Sequence, residues 1–375
     1  MPRVLSGEIS LVQRAGSSSL ATSYGAGSAM REHVVVRLDS DDGVAGVGEA
    51  SPLKHFTGES IGIIRTALGE DLLPAVRGLD PLDIVAAHQR MDAALPANSS
   101  AKAAVDMALY DLAARIQGLP VHKLLGGAVR ARVPITRPLG ILSIEEAVRQ
   151  ALLYAGAGHR TLKLKVGMDA DSDVARVRAV REAVGPDVAI RIDANQGYDL
   201  STAMRVVESL RDVRIEYFEQ LLPAGQLRGL ARLRSLGARV AVDESLHSPA
   251  DALRLVETEA ADVFVIKLIK TGGLWPALQI AAIAAAAGVG CTVVSPYDMQ
   301  FGAAHGLHLA ASLPNLAGAC ELTVFANQAQ MATTCHRVVD GCIELGAGPG
   351  CGVDAITELA DLDLARASAP VAHLA

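Results

Sequence analysis

The amino-acid sequence predicts an α/β protein, with a small α+β unit followed by a long series of βα units around a parallel sheet. Three observations predict it. Short β-rich runs (TLKLKV, VAIRID, RIEYFE, RVAVDE, VFVIKL and CTVVSP) alternate with helical stretches from about Val133 onward. The runs start roughly 24 to 30 residues apart, the length of one βα unit. The apolar half of the chain is mostly Ala, Val and Leu with only 3% aromatic residues, which suits helices packed closely on a parallel sheet. So many units in series imply either a closed barrel or a doubly wound sheet.

The elements follow in chain order. HVVVRL (His33 to Leu38), the turn DSDDG and VAGVGEA read as a β-hairpin. SIGIIRTALGEDLLPAV and SAKAAVDMALYDLAARI then read as helices. The second sets Ala104, Ala108, Leu112 and Ile116 four apart, one apolar face. Within the repeating region, SDVARVRAVREAVG has Val174, Val177, Val180 and Val184 near helical spacing and Gly185 as its stop. Leu274 to Val294 is the most apolar stretch. Its Pro276, Gln279, Gly288 and Gly290 mark a helix running into a strand rather than a membrane span. CHRVVDGCIELGAGPGCGVD breaks the rhythm and reads as a hairpin with a Gly-rich turn that packs back on the first unit. GAGPGCG lacks a following GKS or GKT, so it is a loop and not a phosphate cradle.

Bulk properties exclude several classes. A net charge of −7 with scattered Lys and Arg excludes a nucleic-acid binder. The five cysteines (Cys291, Cys320, Cys335, Cys342 and Cys351) are odd in number and form no CxxC pair. Neither a disulfide framework nor a zinc site is expected, and a cytoplasmic protein is. MPRVLSGEIS shows no signal-peptide apolar region, and no membrane partner is expected.

Each β-rich run closes on a charge: Lys163 and Lys165, Asp193, Glu219, Asp243, Lys267, and Asp298 just past the last run. Barrel active sites form at the C-terminal ends of strands. Any one of these residues alone is as readily a rim charge, but seven in consecutive units point to a shared site. Asp193, Glu219 and Asp243 would repel one another unless a cation lay between them. An all-oxygen set without Cys or His selects Mg²⁺ or Mn²⁺ over zinc. Lysines on the flanking units lie across a closed mouth from each other, one for each face of a bound substrate. Lys163 and Lys165 share a strand face and should each depress the other's pKa. This set suits removal of a proton α to a carboxylate. A basic rim that binds an anion is the plainer reading of the lysine pair.

TLKLKVG, RIDANQ, YFEQ, AVDES and IKLIKTGG, in this order and spacing, resemble the muconate-lactonizing-enzyme subgroup of the enolase superfamily. GEASP, NSSAKAAVDMALYDL and GPGCGV extend the resemblance over nearly the whole chain. It implies a modified (β/α)7β TIM barrel over 126–330, an α+β capping domain over 1–125, and a C-terminal segment over 331–375 packing back on the cap. It implies Asp193, Glu219 and Asp243 as Mg²⁺ ligands, with Lys165 and Lys267 as acid/bases on opposite faces. Lys163 would assist Lys165, Asn195 and Glu244 would orient the ligands and Lys267, and Lys270 would form a salt bridge. Specificity loops would lie at about Arg14 to Met30 and Ser51 to Ser60.

The resemblance further implies a Mg-dependent homo-oligomeric isomerase acting on a small carboxylate substrate. Racemisation or epimerisation of an N-substituted amino acid or dipeptide is the first expectation. A muconate-type cycloisomerase or an o-succinylbenzoate-synthase-like lyase is the second. The chain departs from the dipeptide epimerases on the last strand. There Cys320-Glu321-Leu322-Thr323 has one carboxylate where an Asp-x-Asp pair is usual. Substrate contacts are expected from Asp298, Glu321, Thr323, Tyr297, Arg137 and His55. His305 and His308, three apart on a helix, lack a third ligand and are expected to pack.

Overall fold

The computed structural model describes residues 2–15, 20–25, 30–295, 297–326 and 334–354. Parts of two expected regions, 16–19 and 26–29 of the first specificity loop and 331–333 and 355–375 of the C-terminal segment, lie outside the described residues.

An antiparallel sheet opens the chain: β1 (Val4–Ala15), β2 (Met30–Ser40) and β3 (Ala45–Ala50), in the order β1-β2-β3. β2 and β3 are the expected hairpin, with Val34 opposite Ala50. The helix Ser99–Ile116 lies on this sheet so closely that a Cβ on Gly48 would fall 1.9 Å from the Ala104 carbonyl oxygen. Glycine is therefore required there for packing, not for a turn.

β4 (Arg132–Pro134) leads into β5 (Thr136–Leu139), β6 (Thr161–Lys165), β7 (Ala189–Asp193), β8 (Ile215–Glu219), β9 (Val240–Val242), β10 (Val263–Ile266), β11 (Gly290–Ser295) and β12 (Glu321–Leu322). β5 to β12 form one sheet in sequence order, with parallel neighbours. Its ends meet where Ile135 bridges Cys320 and the Thr136 amide donates to the Cys320 carbonyl at 2.9 Å. The alternatives left open by the sequence thus resolve to a (β/α)7β barrel, with helices such as Ala170–Val184 and Leu274–Ala286 outside it.

Alternation sorts the barrel strands. Leu162, Leu164, Ile190, Ile192, Val240, Val242, Phe264, Ile266 and Val293 join the core packed against the helices. Tyr217, Ala241, Val263, Val265 and Val294 fill the interior. Below the mouth, Arg191 is fully buried, stacked on Tyr217 and paired with Glu216 at 2.7 Å.

The helix Ser99–Ile116 departs from the expected single apolar face. Residues 100–114 are all buried, because the helix is clamped between the cap sheet and the barrel. Its polar residues serve that junction. Asp106 accepts from the Leu274 and Trp275 amides and pairs with His88, and Asp111 accepts from the Val47 and Cys351 amides. β13 (Arg337–Val339) and β14 (Cys342–Glu344) form a hairpin that continues onto β4. The Gly-rich loop after it exchanges backbone hydrogen bonds with Leu119 and Val121 through Gly350, both at 2.9 Å. Among the described residues, no helix is long and apolar enough to cross a membrane.

Candidate active site

Six of the seven strand-end charges converge at the C-terminal mouth of the barrel. Register places Lys165 beside Asp193 and Asp193 beside Glu219. Their side chains interlock. Lys165 Nζ donates to Asp193 at 2.6 Å and to Asn195 Oδ1 at 2.9 Å. Lys163 Nζ lies 3.2 Å from Glu219, 3.3 Å from Asp193 and 2.5 Å from Glu321. Lys267 Nζ lies 2.5 Å from Asp243, and Lys270 binds the same carboxylate at 2.7 Å from the other side. Lys270 also donates to the carbonyls of Asp243 and Val265 and is fully buried, so it braces Asp243 from beneath.

These contacts set the charges. Burial works against the Lys163 cation, yet Glu219, then Glu321 and Asp193, hold it well above the ordinary lysine value. The expected mutual depression of Lys163 and Lys165 is thus overturned for Lys163, because three carboxylates outweigh its lysine neighbour. Lys267 is likewise held up against burial by Asp243 and Glu244. Burial opposes ionisation of Asp193, but Lys165 and Lys163 pull its pKa down to about 2, and Lys267 and Lys270 pull Asp243 down similarly. Glu219 goes the other way. Burial, then repulsion from Asp193, pushes it up to about 8.

This electrostatic misfit is the test of the donor set for a metal. Three buried carboxylates on β7, on β8 and just past β9 offer oxygen alone, and burial together with their mutual repulsion raises the pKa of one of them. A hard divalent cation suits such a set and relieves the repulsion. The lysines now bonded to Asp193 and Asp243 would have to yield those oxygens. Among the described residues, the tightest group of metal-type side chains is elsewhere: Asp111, His305 and Cys351, with ligand atoms within 4.8 Å of one another. Asp111 there is already taken by the Val47 and Cys351 amides and by Arg115, so it serves structure.

A cavity of about 920 Å³ opens above the carboxylates, lined by Lys163, Lys165, Asn195, Lys267, Glu321, Thr323, Tyr297 and His55 among others. Asp298 is not among its lining residues. It sits behind the wall with Glu49, His33, Ser51 and Ser295, and burial, then the charge of Glu49, pushes it up to about 7. The expectation that it joins the other six is corrected: it lies beyond the strand end, at the junction with the cap. The register partner of Arg137 is Leu162, so its Cβ shares the outward face and not that of Lys163. Its guanidinium lies over Tyr154, 4.5 Å from the ring centre, and both residues border the cavity.

His305 and His308 are buried on the helix Gln300–Ser312, and burial lowers both pKa values. They pack as neutral rings, His305 bonded to the Phe301 carbonyl and His308 to His122.

Glu49 holds cap and barrel together. It accepts from the Met299 amide at 2.7 Å, the Gly302 amide at 3.0 Å and His33 Nδ1 at 3.0 Å. The first two belong to the N-terminus of the helix Gln300–Ser312, where an anion is favoured. Burial opposes its charge, but His33 and the two amides hold its pKa below the ordinary glutamate value. A depressed acid contributes stability that is complete above its unfolded pKa and lost as pH falls through its folded one. Glu49→Gln is expected to cost roughly 3 kcal/mol in urea unfolding at neutral pH. The loss should shrink toward acid; a loss independent of pH would contradict a charged cap.

Sequence reading places Ser23, Tyr24 and Phe56 within the expected specificity loops without singling them out, and gives Gln196 no role. The Phe56 ring lies 3.8 Å from Lys267 Nζ, and Tyr24 stacks on His55 with centroids 5.0 Å apart. Sequence carried little signal for them, since they act across a contact between distant segments.

A closed (β/α)7β barrel whose strand ends carry these lysines and carboxylates, under an α+β cap, defines an enolase-superfamily isomerase. Within it, the chain belongs to the mandelate racemase/muconate lactonizing enzyme family. The N-terminal domain model of that family matches residues 13–126, and the Enolase C-terminal domain-like model matches residues 145–359. The N-succinyl-L-Arg/Lys racemase of Bacillus cereus is 35% identical over 292 residues, 77% of this chain and 79% of that protein. Muconate cycloisomerase 1 of Rhodococcus opacus is 34% identical over 331 residues, covering 86% and 88%. The dipeptide epimerase of Enterococcus faecalis, solved with Mg and L-Leu-L-Tyr, superimposes with a TM-score of 0.87 at 31% identity, covering 93% of this chain and 99% of that one.

Proposed function

We propose that this enzyme interconverts the two configurations at the α-carbon of an N-substituted amino acid or dipeptide. Lys165 and Lys267 serve as the acid/base pair, and Asp193, Glu219 and Asp243 hold Mg²⁺. The observation that carries this reading is that Lys165 and Lys267 border one cavity from different strands, each bonded to a different carboxylate of the trio. A bound divalent cation would stabilise the negative charge that the substrate carboxylate gains as its α-proton leaves. One lysine, in its neutral form, takes the proton on one face, and the other, as ammonium, returns a proton on the opposite face. Lys163 supplies a fixed positive charge beside the substrate carboxylate. Asn195 and Glu244 orient Lys165 and its neighbours through the bonds from Asn195 to Lys165 and to Glu244. Glu321 and Thr323 face the cavity as candidate contacts to the substrate nitrogen, and Tyr297 and His55 border its upper part.

The test is α-proton exchange in D2O with Mg²⁺, followed by proton NMR, on N-succinyl-L-arginine, N-succinyl-L-lysine, L-Ala-L-Glu and L-Leu-L-Tyr. Exchange on at least one is expected. The second reading is a cycloisomerase, favoured by the single carboxylate at Glu321 with Thr323 two residues on. It predicts ultraviolet absorbance loss with cis,cis-muconate and no exchange on the amino-acid panel.

A further inference from the structure

We propose that Tyr24 is a positioning residue: its phenol fastens the capping loop to the Glu244–Asn195–Lys165 chain, so that docking of the cap aligns Lys165. The inference rests on the two-lysine reading of the site above.

The contacts form one connected path. The Tyr24 hydroxyl donates to Glu244 Oε1 at 2.7 Å and accepts from Gln196 Nε2 at 2.6 Å. The same Glu244 oxygen accepts from Asn195 Nδ2 at 3.1 Å, and Asn195 Oδ1 accepts from Lys165 Nζ at 2.9 Å. Ser23 adds a second tie, its hydroxyl donating to the Asn195 carbonyl at 2.9 Å. Asn195 and Gln196 have φ of 43° and 67°. Two successive non-glycine residues in the left-handed region persist only where surrounding contacts hold them, and Ser23 and Tyr24 supply two of those contacts.

The path also has a branch to the other lysine. The Tyr24 ring lies flat on His55 and edge-on to Phe56, at 5.0 and 6.5 Å between centroids, and the Phe56 face meets Lys267 Nζ at 3.8 Å. One capping residue therefore touches, through single intermediaries, groups beside both lysines. Glu244 is almost wholly buried, and its Oε2 has no hydrogen-bond partner among the described residues, so its side-chain hydrogen bonds fall on Oε1. Losing the phenol would leave that carboxylate with Asn195 alone. Burial, then the Glu244 charge, keeps the phenol protonated, which makes it a standing donor at working pH. Tyr24 itself is 38% exposed, so removing its hydroxyl does not open a core.

The test is Tyr24→Phe in the full chain, which keeps the ring stack and deletes both hydrogen bonds. Two readouts are taken. In hydrogen-exchange mass spectrometry, amides of 194–196 should exchange faster in the variant, with the global melting temperature nearly unchanged. In turnover with Mg²⁺, on whichever of the four compounds named above the wild type accepts, kcat should fall about 10- to 100-fold with KM changed less than about threefold. The rate of α-proton exchange with solvent, as distinct from turnover, should fall more for the configuration whose exchange is abolished by Lys165→Ala. A raised KM with unchanged kcat would make Tyr24 a substrate contact and overturn the proposal. So would unchanged exchange at 194–196. If the wild type accepts none of the four compounds named above, it is the two-lysine reading that fails, and the exchange readout alone decides whether Tyr24 fastens the loop.

Discussion

Lys267→Ala is expected to stop interconversion of substrate configurations while leaving α-proton exchange with solvent for one configuration alone. Lys165→Ala is expected to do the same for the other. The physical reason is that each lysine serves one face. Removing one leaves a base that still takes and returns a proton on its own side, but nothing completes the transfer across the plane. The loss in racemisation should be about 10⁴-fold, the upper range for a positioned acid or base. Both variants should fold. Asp243 keeps Lys270 at 2.7 Å when Lys267 is removed, and Asp193 keeps Lys163 at 3.3 Å when Lys165 is removed. Neither buried carboxylate is left without a cation. Proton NMR in D2O on the two separate configurations, beside circular dichroism of the protein, reads both effects. Full interconversion in either variant would remove the two-base assignment, and loss of all exchange in one variant with exchange of both configurations kept in the other would point to a single base.

The second large effect concerns the divalent cation. Glu219 is pushed up to about 8 in the folded chain, against about 4.5 for an ordinary glutamate. An acid whose folded pKa is raised costs no stability below its unfolded pKa. The cost grows as pH rises from about 4.5 to about 8 and is then constant. Without added cation, the contribution of Glu219 should therefore decline across that window, read as the stability difference between wild type and Glu219→Gln. Mg²⁺ at about a hundred times its Kd should restore about 2.7 kcal/mol. Binding must displace the Glu219 proton, so Mg²⁺ affinity should rise with pH up to about 8, by at most about tenfold per unit. Calorimetry in buffers of different ionisation enthalpy would detect the released proton. Glu219→Gln should flatten the pH dependence and weaken Mg²⁺ binding by about 100-fold or more. A melting temperature indifferent to Mg²⁺ in the wild type would rule out the carboxylate trio as its site.

Much of this architecture was legible in the chain because barrels repeat. A strand of period two that ends on a charge, followed by a helix, recurs at Lys165, Asp193, Glu219, Asp243 and Lys267, and periodicity alone sets those side chains at one end of the sheet. Asp298 broke the inference because it lies past its strand, where alternation no longer governs direction. Its surroundings, Glu49 and His33, come from the cap. Arg137 shows a different limit: it lies on a strand, but its outward or inward face cannot be read from TRPL, and only pairing with Leu162 settles it.

The sequence by itself determined the series of βα units, the charges that close its strands and the family resemblance, because these depend on local period and on order along the chain. Tertiary structure alone decided which charge pairs with which. It turned Lys163 toward Glu321 and Glu219, raised the pKa of Glu219 while lowering those of Asp193 and Asp243, and set Lys270 beneath Asp243. It also brought Tyr24 and Phe56 from the cap to groups beside the two lysines. Those outcomes rest on distances between segments far apart in the chain, and Coulomb and hydrogen-bond energies depend on distance.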